Sequence, residues 1–404
     1  MKYFKNTELA KLYHVSEKSV RNWIEAARSN KLNLQLHEEK GKFYVANVAG
    51  NVAVIEKLVE RGKKYVNRRG AVTLRPTDDF YRKYNNKQVL DIISSIQVHK
   101  ELPLQYTYVS DGSESWDRYA TRLSKDSLPN ILTRTIELLD SADKLFDLLF
   151  AGVNKINVID LGPGNGLPIR QTLERLIKKG RLGKYIAVDI SEDMIRILEK
   201  NMRSWFDNDI NFEYYIRDVS YERFNDLLAA NYGEEGDAAN IVCLFGGTLS
   251  NFRAPDQVLQ AINNSMGTND LLAYTCYLDS PRTRLHFDYD EPVNKKLSVQ
   301  EKLILDLLNI DDSLYEVKQE FNEKEHARTT SILPVKDITV VFELPTGTRR
   351  VELQKGKPIL IWRHKHMNMA GIINLFARNG FNVMGAMTAD NDFGLIISKI
   401  KTNY

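Results

Sequence analysis

Residues 158–170 read VIDLGPGNGLPIR, and this stretch decides the fold. An apolar run, which predicts a buried β-strand, contains the carboxylate Asp160 and passes into three alternate glycines, Gly162, Gly164 and Gly166. Glycines at this spacing predict a tight turn whose backbone can approach a ligand closely. The proline two residues after the last glycine favours the start of a helix. The stretch therefore predicts a strand, a ligand-binding loop and a helix in succession.

The second and third predicted strands also end in carboxylates. Asp189 follows Gly166 by twenty-three residues, and Asp218 ends the next strand. Asp189 can accept hydrogen bonds from both ribose hydroxyls of an adenosine, and Asp218 can accept one from the adenine amine. A nicotinamide fingerprint would have its third glycine at Leu167, so the spacing is GxGxG instead.

Singly, each glycine fits an ordinary turn and each aspartate fits a helix N-cap, but all three sites in register favour S-adenosylmethionine as the cofactor. The predicted cofactor ligands are Asp160, Gly162, Pro163, Gly164, Gly166, Asp189, Ile190, Asp218, Val219 and Gly246.

Strands and helices alternate regularly after the glycine loop, which predicts an α/β fold with a doubly wound, mostly parallel sheet of the class I S-adenosylmethionine methyltransferase type. We expect six segments. They are a winged helix-turn-helix (1–60), a linker (61–78), the N-terminal part of a substrate domain (79–127), the cofactor-binding core (128–278), an inserted α+β substrate or lid domain (279–373) and a return to the core sheet (374–404).

The composition is that of an ordinary folded protein, with 404 residues of which 43% are hydrophobic and 27% charged. No stretch approaches the roughly 18 unbroken apolar residues of a membrane span, and charges interrupt the N-terminus before a signal peptide could form. We therefore expect a cytoplasmic protein. Cys243 and Cys276 lie in apolar runs, which predicts buried structural thiols, and no metal site is expected.

The N-terminal part is basic, since residues 1–70 hold 15 Lys and Arg against 7 Asp and Glu. Residues 6–45 predict two short helices followed by a β-hairpin, which resembles the winged helix-turn-helix of the excisionase and MerR type. A DNA partner is one prediction; a protein partner or a homodimer is the other. The candidate DNA-binding residues are Lys18, Arg21, Asn22 and Arg28.

Five motifs are spread from residue 133 to residue 398: TRTIELL, IDLGPGNG, AVDIS, LFGGTLSNF and NDFGLIIS. With them, residues 105–404 resemble the histidine-specific methyltransferase family, which includes the ergothioneine-pathway enzyme that trimethylates the α-amine of histidine. The resemblance implies that Asn251 and Tyr289 hold the substrate carboxylate. Asn251 could equally cap the next helix, and Tyr289 could be a surface residue.

The chain departs from the family at three substrate positions. A tyrosine is replaced by Ile131 or Leu132, and the imidazole-binding pair by Ile361 and Arg363. Because a polar site loses its preference when its hydrogen-bonding groups vanish, histidine is not the expected substrate. A buried Arg363 would favour an acidic or phosphorylated group on the substrate.

The expected reaction is in-line attack by a small amine or amino acid on the sulfonium methyl group. A base that keeps the amine neutral is needed, and Tyr289 and Asp288 are the candidates. The alternatives are a methyltransferase tethered to nucleic acid and a DNA-binding regulator that senses S-adenosylmethionine without turnover. No DPPY tetrapeptide of the amino-methylating DNA enzymes is present.

Overall fold

The computed structural model describes residues 3–13, 15, 17–63, 65–66, 71–207, 209–229, 238–286 and 296–402. The helices are α1 (Asn6–Leu12), α2 (Glu17–Arg28), α3 (Ala49–Lys63), α4 (Asp78–Lys83), α5 (Asn86–Ser94), α6 (Asp111–Leu123), α7 (Ile131–Ser141), α8 (Asp143–Leu149), α9 (Arg170–Lys178), α10 (Glu192–Phe206), α11 (Asn225–Ala229), α12 (Thr248–Asn251), α13 (Pro255–Asn263), α14 (Pro281–His286), α15 (Val299–Leu307) and α16 (Met369–Arg378).

The strands are β1 (Tyr3–Phe4), β2 (Leu36–Glu39), β3 (Lys42–Ala46), β4 (Tyr65–Val66), β5 (Val72–Leu74), β6 (Lys155–Leu161), β7 (Leu182–Asp189), β8 (Phe212–Ile216), β9 (Ala238–Leu244), β10 (Leu271–Tyr277), β11 (Tyr315–Asn322), β12 (Ala327–Pro334), β13 (Ile338–Leu344), β14 (Gly347–Leu353), β15 (Ile359–Lys365), β16 (Phe381–Ala389) and β17 (Phe393–Ile400). Short π or 3₁₀ turns occupy Ser95–His99, Leu104–Thr107 and Asp312–Leu314.

The chain divides into two compact units. The first consists of Met1–His99, Leu305–Glu316 and Leu333–Lys357, and the second of Lys100–Ile304, Val317–Ile332 and Pro358–Tyr404. Within the described residues, none of the helices combines the length and the apolar character needed to cross a membrane.

The second unit is built on a seven-stranded sheet in the order β16-β17-β10-β9-β6-β7-β8. The five strands from β10 to β8 run parallel, and β17 is antiparallel to both of its neighbours. The prediction of a mostly parallel α/β sheet is therefore confirmed. Because the order reverses between β6 and β9, a crevice forms at their carboxyl ends, where α/β proteins bind ligands.

Apolar cores cover both faces of this sheet, as a doubly wound fold requires. On one face, β6, β7 and β10 pack against α7, α9 and α10. On the other face, the same strands pack against α13 and α16. Cys243 and Cys276 are buried in these cores and form no disulfide, which confirms their prediction as buried thiols.

Side-chain caps fix where the helices begin. The Asn130 side chain accepts hydrogen bonds from the N–H groups of Leu132 and Thr133, so α7 begins at Ile131. Sequence periodicity predicts one helix from Leu128 to about residue 151; the structure instead has α7 and α8, which meet at Ala142.

The first unit contains two sheets. The N-terminal sheet has the order β1-β3-β2, with α1 and α2 preceding its hairpin and α3 following it. These elements agree with the predicted helices and hairpin, while the assignment to the winged helix-turn-helix type stays a prediction. The other sheet has the order β14-β13-β5-β4. Its strand β5 lies in the predicted linker, because Val72 and Leu74 are apolar and fully buried beside β13.

A smaller sheet, β11-β12-β15, carries residues of the site. β12 and β15 pair antiparallel, with Arg328 opposite His364. The predicted inserted domain thus contains strands, as expected for an α+β segment, although its boundaries stay a prediction.

Candidate active site

The glycine loop between β6 and α9 has no space for a side chain at Gly164 or at Gly166. Gly164 and Gly166 both have positive φ, at +57° and +80°. A Cβ on Gly164 would lie 2.9 Å from Nε1 of Trp116, and one on Gly166 would lie 2.6 Å from the ends of Leu198 and Met202. The loop therefore requires glycine both for its backbone conformation and for its packing.

Helix α6 covers this loop, a feature that sequence reasoning missed. Asn165 donates a hydrogen bond to Asp117 at 2.8 Å, and Trp116 contacts Gly164 as described. The backbone N–H of Ser110 donates to Asp193 at the start of α10 over 2.7 Å. Only the aromatic and acidic run SWDRY could have indicated a role for this helix.

Two carboxyl groups that were predicted to bind the cofactor lie at the ends of β6 and β7. Burial raises the pKa of Asp160 to about 7, against the effect of a hydrogen bond from the Tyr185 hydroxyl at 3.0 Å. Burial also raises the pKa of Asp189 to about 6. Asp189 accepts a hydrogen bond from the Ser191 N–H at 2.8 Å. The negative charge of Asp189 raises the pKa of Asp160 further. A cationic ligand bound next to the two carboxyls would therefore stabilise the ionised form of each.

The Asp160 carboxyl makes stability depend on pH. Because its folded-state pKa is about 7 and its ordinary value is 3.8, the stability that it contributes is full below pH 4 and is lost as the pH rises through 7. We expect Asp160→Asn to be more stable than wild type at pH 8 by about 2 to 4 kcal/mol, and nearly equal to it at pH 4. Urea unfolding at both pH values measures this difference.

Tyr185→Phe is a second variant for the same urea experiment, since it removes the hydrogen bond that lowers the pKa of Asp160. The pKa of Asp160 should then rise further, and the loss of stability that accompanies its ionisation should extend to higher pH. A difference between wild type and Asp160→Asn that does not change with pH would contradict the burial effect.

The remaining predicted cofactor residues lie at the same edge of the sheet. Asp218 is buried after β8 and accepts a hydrogen bond from the Ser220 N–H at 2.9 Å. Gly246, after β9, has φ +70° and donates its N–H to Thr275 at 3.3 Å. Pro163 belongs to the glycine loop, Ile190 follows β7 directly, and Val219 comes after β8 next to Asp218.

The loop after β9 brings Asn251 to this edge. A Cβ on Gly162 would lie 4.0 Å from Thr248, so the two loops are neighbours. The Oδ1 atom of Asn251 lies 3.1 Å from Nδ1 of His364 on β15. His364 was not predicted as a site residue. The one feature of the sequence that could have indicated it is the pair of alternate histidines, His364 and His366, in RHKHM.

Arg363 lies next to His364 but on the opposite face of β15, because side chains alternate along a strand. Its buried guanidinium donates to Glu101 at 2.7 Å and to Glu325 at 3.1 Å. Two carboxylates thus already balance its charge. Binding of an acidic substrate group by Arg363 stays a prediction, as do the roles of Tyr289 and Asp288, which lie outside the described residues.

A phenol does approach the start of α7, where Ile131 or Leu132 is predicted to replace the family tyrosine. It comes from Tyr277 at the end of β10, whose hydroxyl is within hydrogen-bonding reach of the Ile131 backbone. Burial raises the pKa of Tyr277 well above its usual range. No pattern in the sequence indicates this contact, since Ile131 and Tyr277 are far apart in the chain.

Three of the candidate DNA-binding residues, Arg21, Asn22 and Arg28, are exposed on α2. Arg21 lies 3.8 Å from Glu17, and Arg28 lies 3.5 Å from Glu25 and 4.3 Å from the centre of the Phe43 ring. Asn22 is exposed, and the side chain of Lys18 is outside what the structure describes. Binding of DNA or protein through residues 1–60 stays a prediction.

The glycine loop and the carboxyls at the ends of β6 and β7 fit S-adenosylmethionine. Gly162 is exposed and an added Cβ there would meet only Thr248, at 4.0 Å, so its backbone is open to a ligand. Asp160 and Asp189 suit a ligand that carries positive charge. Asp189 would hold the ribose and Asp218 the adenine, as predicted from their positions at the strand ends.

Comparison with solved structures gives distant similarities to methyltransferases. An S-adenosylmethionine-dependent methyltransferase from Clostridium acetobutylicum is 12% identical, with 71% of this chain and 99% of that chain covered and a TM-score of 0.40. The CcbJ methyltransferase from Streptomyces caelestis is 10% identical, with 72% and 96% covered and a TM-score of 0.39. Magnesium protoporphyrin IX methyltransferase from Synechocystis, solved with S-adenosylhomocysteine, is 13% identical, with 74% and 98% covered and a TM-score of 0.38. A search of curated proteins finds no match.

A protein-family model gives the decisive match. The model described as histidine-specific methyltransferase, SAM-dependent, matches residues 86–399. This range includes the glycine loop, the carboxylates at the strand ends and the Asn251 loop, and the cofactor is S-adenosylmethionine. Because the match covers more than half of the chain, the protein belongs to the histidine-specific family of S-adenosylmethionine-dependent methyltransferases.

Proposed function

We propose that this methyltransferase transfers a methyl group to the nitrogen of a small amine that carries a carboxylate, an amino acid or a close relative other than histidine. When bound, S-adenosylmethionine supplies an electrophilic methyl group on a sulfonium, which is a good leaving group. The protein's own task is then to hold the amine in line and to exclude water.

The position of Asn251 carries this proposal. Thr248, at the start of the helix that Asn251 ends, lies next to Gly162 of the glycine loop, which supports a place for the Asn251 amide near the cofactor. An amide N–H can hydrogen-bond a carboxylate and thereby orient the amine on the neighbouring carbon. This arrangement supports an amino acid as the acceptor.

The residues at the family's imidazole positions support a substrate other than histidine. Ile361 is buried and apolar, and Arg363 is committed to Glu101 and Glu325. Neither offers a hydrogen-bond acceptor to an imidazole N–H. A site without these partners discriminates poorly in favour of histidine.

The acceptor can be found with a labelled methyl donor. Wild-type protein, S-adenosylmethionine carrying a radioactive methyl group, the twenty amino acids and their decarboxylated amines make up the assay. We expect transfer to one or a few amino acids, with histidine a poor acceptor. Efficient transfer to histidine alone, or transfer to no amine of the set, would refute the proposal.

Asn251→Ala tests the role of the amide. Loss of a hydrogen bond to a charged group costs about 1.5 to 3 kcal/mol, so kcat/KM for the acceptor should fall about 10- to 100-fold. Affinity for S-adenosylhomocysteine, measured by calorimetry, should change little. Asn382→Ala, an exposed position on β16, is the control and should behave as wild type.

A further inference from the structure

We propose that His364 is a positioning residue that fixes the Asn251 amide as a hydrogen-bond donor toward the acceptor, and that this makes the site select amines bearing a carboxylate. The inference rests on the proposed function and goes beyond it, because it assigns the selection to a residue that does not itself contact the methyl donor.

The direction of the hydrogen bond follows from its atoms. The amide of Asn251 is assigned with its Oδ1 3.1 Å from Nδ1 of His364, and because an amide oxygen can only accept, this arrangement requires the His364 tautomer that carries its proton on Nδ1. The NH₂ group of the planar Asn251 amide then points away from the histidine. Without this partner the amide could turn over and present its oxygen instead, which would suit an ammonium group rather than a carboxylate.

Neighbouring rings hold the imidazole of His364 in place. It is stacked on Trp362, with centroids 5.9 Å apart and planes 15° apart, and it meets Tyr277 edge-on at 6.4 Å. A Cβ on Gly247 would lie 3.1 Å from its Cε1 atom, so the loop before α12 closes a further side. The ring is buried, at 4% exposure. A ring fixed in this way gives its N–H a fixed direction, as preorganised sites require.

The strand register explains why His364 and not Arg363 reaches the amide. Alternate side chains of β15 lie on the same face, and Trp362 shares the face of His364. His366, just after the end of β15, has its ring 4.9 Å from that of His364. β15 is itself held by pairing with β12. The donor is therefore placed by rigid strand structure and not by a loop.

The substitutions His364→Asn and His364→Gln separate the effect of the hydrogen bond from the effect of packing. The side-chain amide nitrogen of an asparagine can occupy the place of Nδ1 of His364, whereas that of a glutamine reaches the place of Nε2. We expect His364→Asn to keep kcat/KM within about threefold of wild type. His364→Gln and His364→Leu should lower it about 10-fold, mainly through KM, as expected for one lost hydrogen bond.

The preference for a carboxylate should change in the same way. Wild type and His364→Asn should methylate an amino acid much faster than the amine obtained by decarboxylating it. In His364→Gln and His364→Leu this ratio should shrink about 10-fold. Combined with Asn251→Ala, the His364→Leu change should have no further effect, because a residue that acts through Asn251 has nothing left to position.

A measurement without turnover tests the hydrogen bond directly. In protein labelled with ¹⁵N-histidine, the His364 signals, identified by their absence in His364→Asn, should have a protonated Nδ1. The affinity for S-adenosylhomocysteine, measured by calorimetry, should be the same in wild type, His364→Asn, His364→Gln and His364→Leu.

The possible failures are distinguishable. If wild type methylates no amine, the proposed function fails, while the NMR measurement still decides the hydrogen bond. If wild type methylates an amino acid but His364→Gln matches His364→Asn, or if Nδ1 lacks a proton, the positioning role of His364 is wrong.

Discussion

Asp189→Ala is expected to weaken the binding of S-adenosylmethionine by about 100-fold. The carboxylate at the end of β7 would accept hydrogen bonds from both ribose hydroxyls, and two bonds to a charged group at about 1.5 kcal/mol each amount to about 3 kcal/mol. Isothermal titration with S-adenosylhomocysteine measures the loss without the need for an acceptor. Affinity that does not change would remove Asp189 from the cofactor site.

Two further variants separate binding from structure. Glu192→Ala removes an exposed carboxylate three residues further along and should bind as wild type does. Asp189→Asn keeps an oxygen for the Ser191 N–H but loses the charge, so it should also bind weakly.

The stability of Asp189→Asn should move in the opposite direction from its affinity. The folded-state pKa of Asp189 is about 6 against an ordinary 3.8, so its contribution to stability is full below pH 4 and is lost as the pH rises through 6. Without ligand, Asp189→Asn should therefore be more stable than wild type at pH 8, by about 1 to 2 kcal/mol for a half-buried group. Such a result would show that the cofactor site is maintained at a cost in stability.

Local chemistry made the centre of the fold predictable. The glycine loop, the apolar strands and the helix start after Pro168 are determined by residues close together in the chain, and the structure agrees with them. The same holds for α16 and β17 near the C-terminus. Asp189 and Asp218 were predicted as cofactor ligands because parallel strands bring their carboxyl ends to one edge, and the structure places both at that edge; their roles stay a prediction.

Features that depend on distant contacts could not be predicted. β16 alternates exposed and half-buried residues at the edge of the sheet and contains Gly385, so its sequence resembles a loop. The pairing of β5 with β13 joins segments more than 250 residues apart. A shift of β15 by one residue relative to β12 would turn His364 to the opposite face of the sheet, away from Asn251. The sequence does not specify this register.

Gly166→Ala is expected to lower the stability of the second unit by about 2 to 5 kcal/mol. An alanine at φ +80° costs about 1 to 2 kcal/mol, and its methyl group would lie 2.6 Å from Leu198 and Met202, which adds about 1 to 3 kcal/mol of overpacking. Because Gly166 belongs to the predicted cofactor loop, a displaced loop should also lower the affinity for S-adenosylhomocysteine. Thermal unfolding and calorimetry measure the two effects.

Gly180→Ala is the matched control for this prediction. Gly180 has φ +65° but nothing within 4 Å of an added Cβ, so its replacement should cost only the backbone term of about 1 to 2 kcal/mol and leave ligand affinity unchanged. The difference between the two variants then isolates the packing of α10 against the loop. Equal losses in both would mean that α10 yields to the methyl group, and that the glycine is required at this position for its backbone conformation alone.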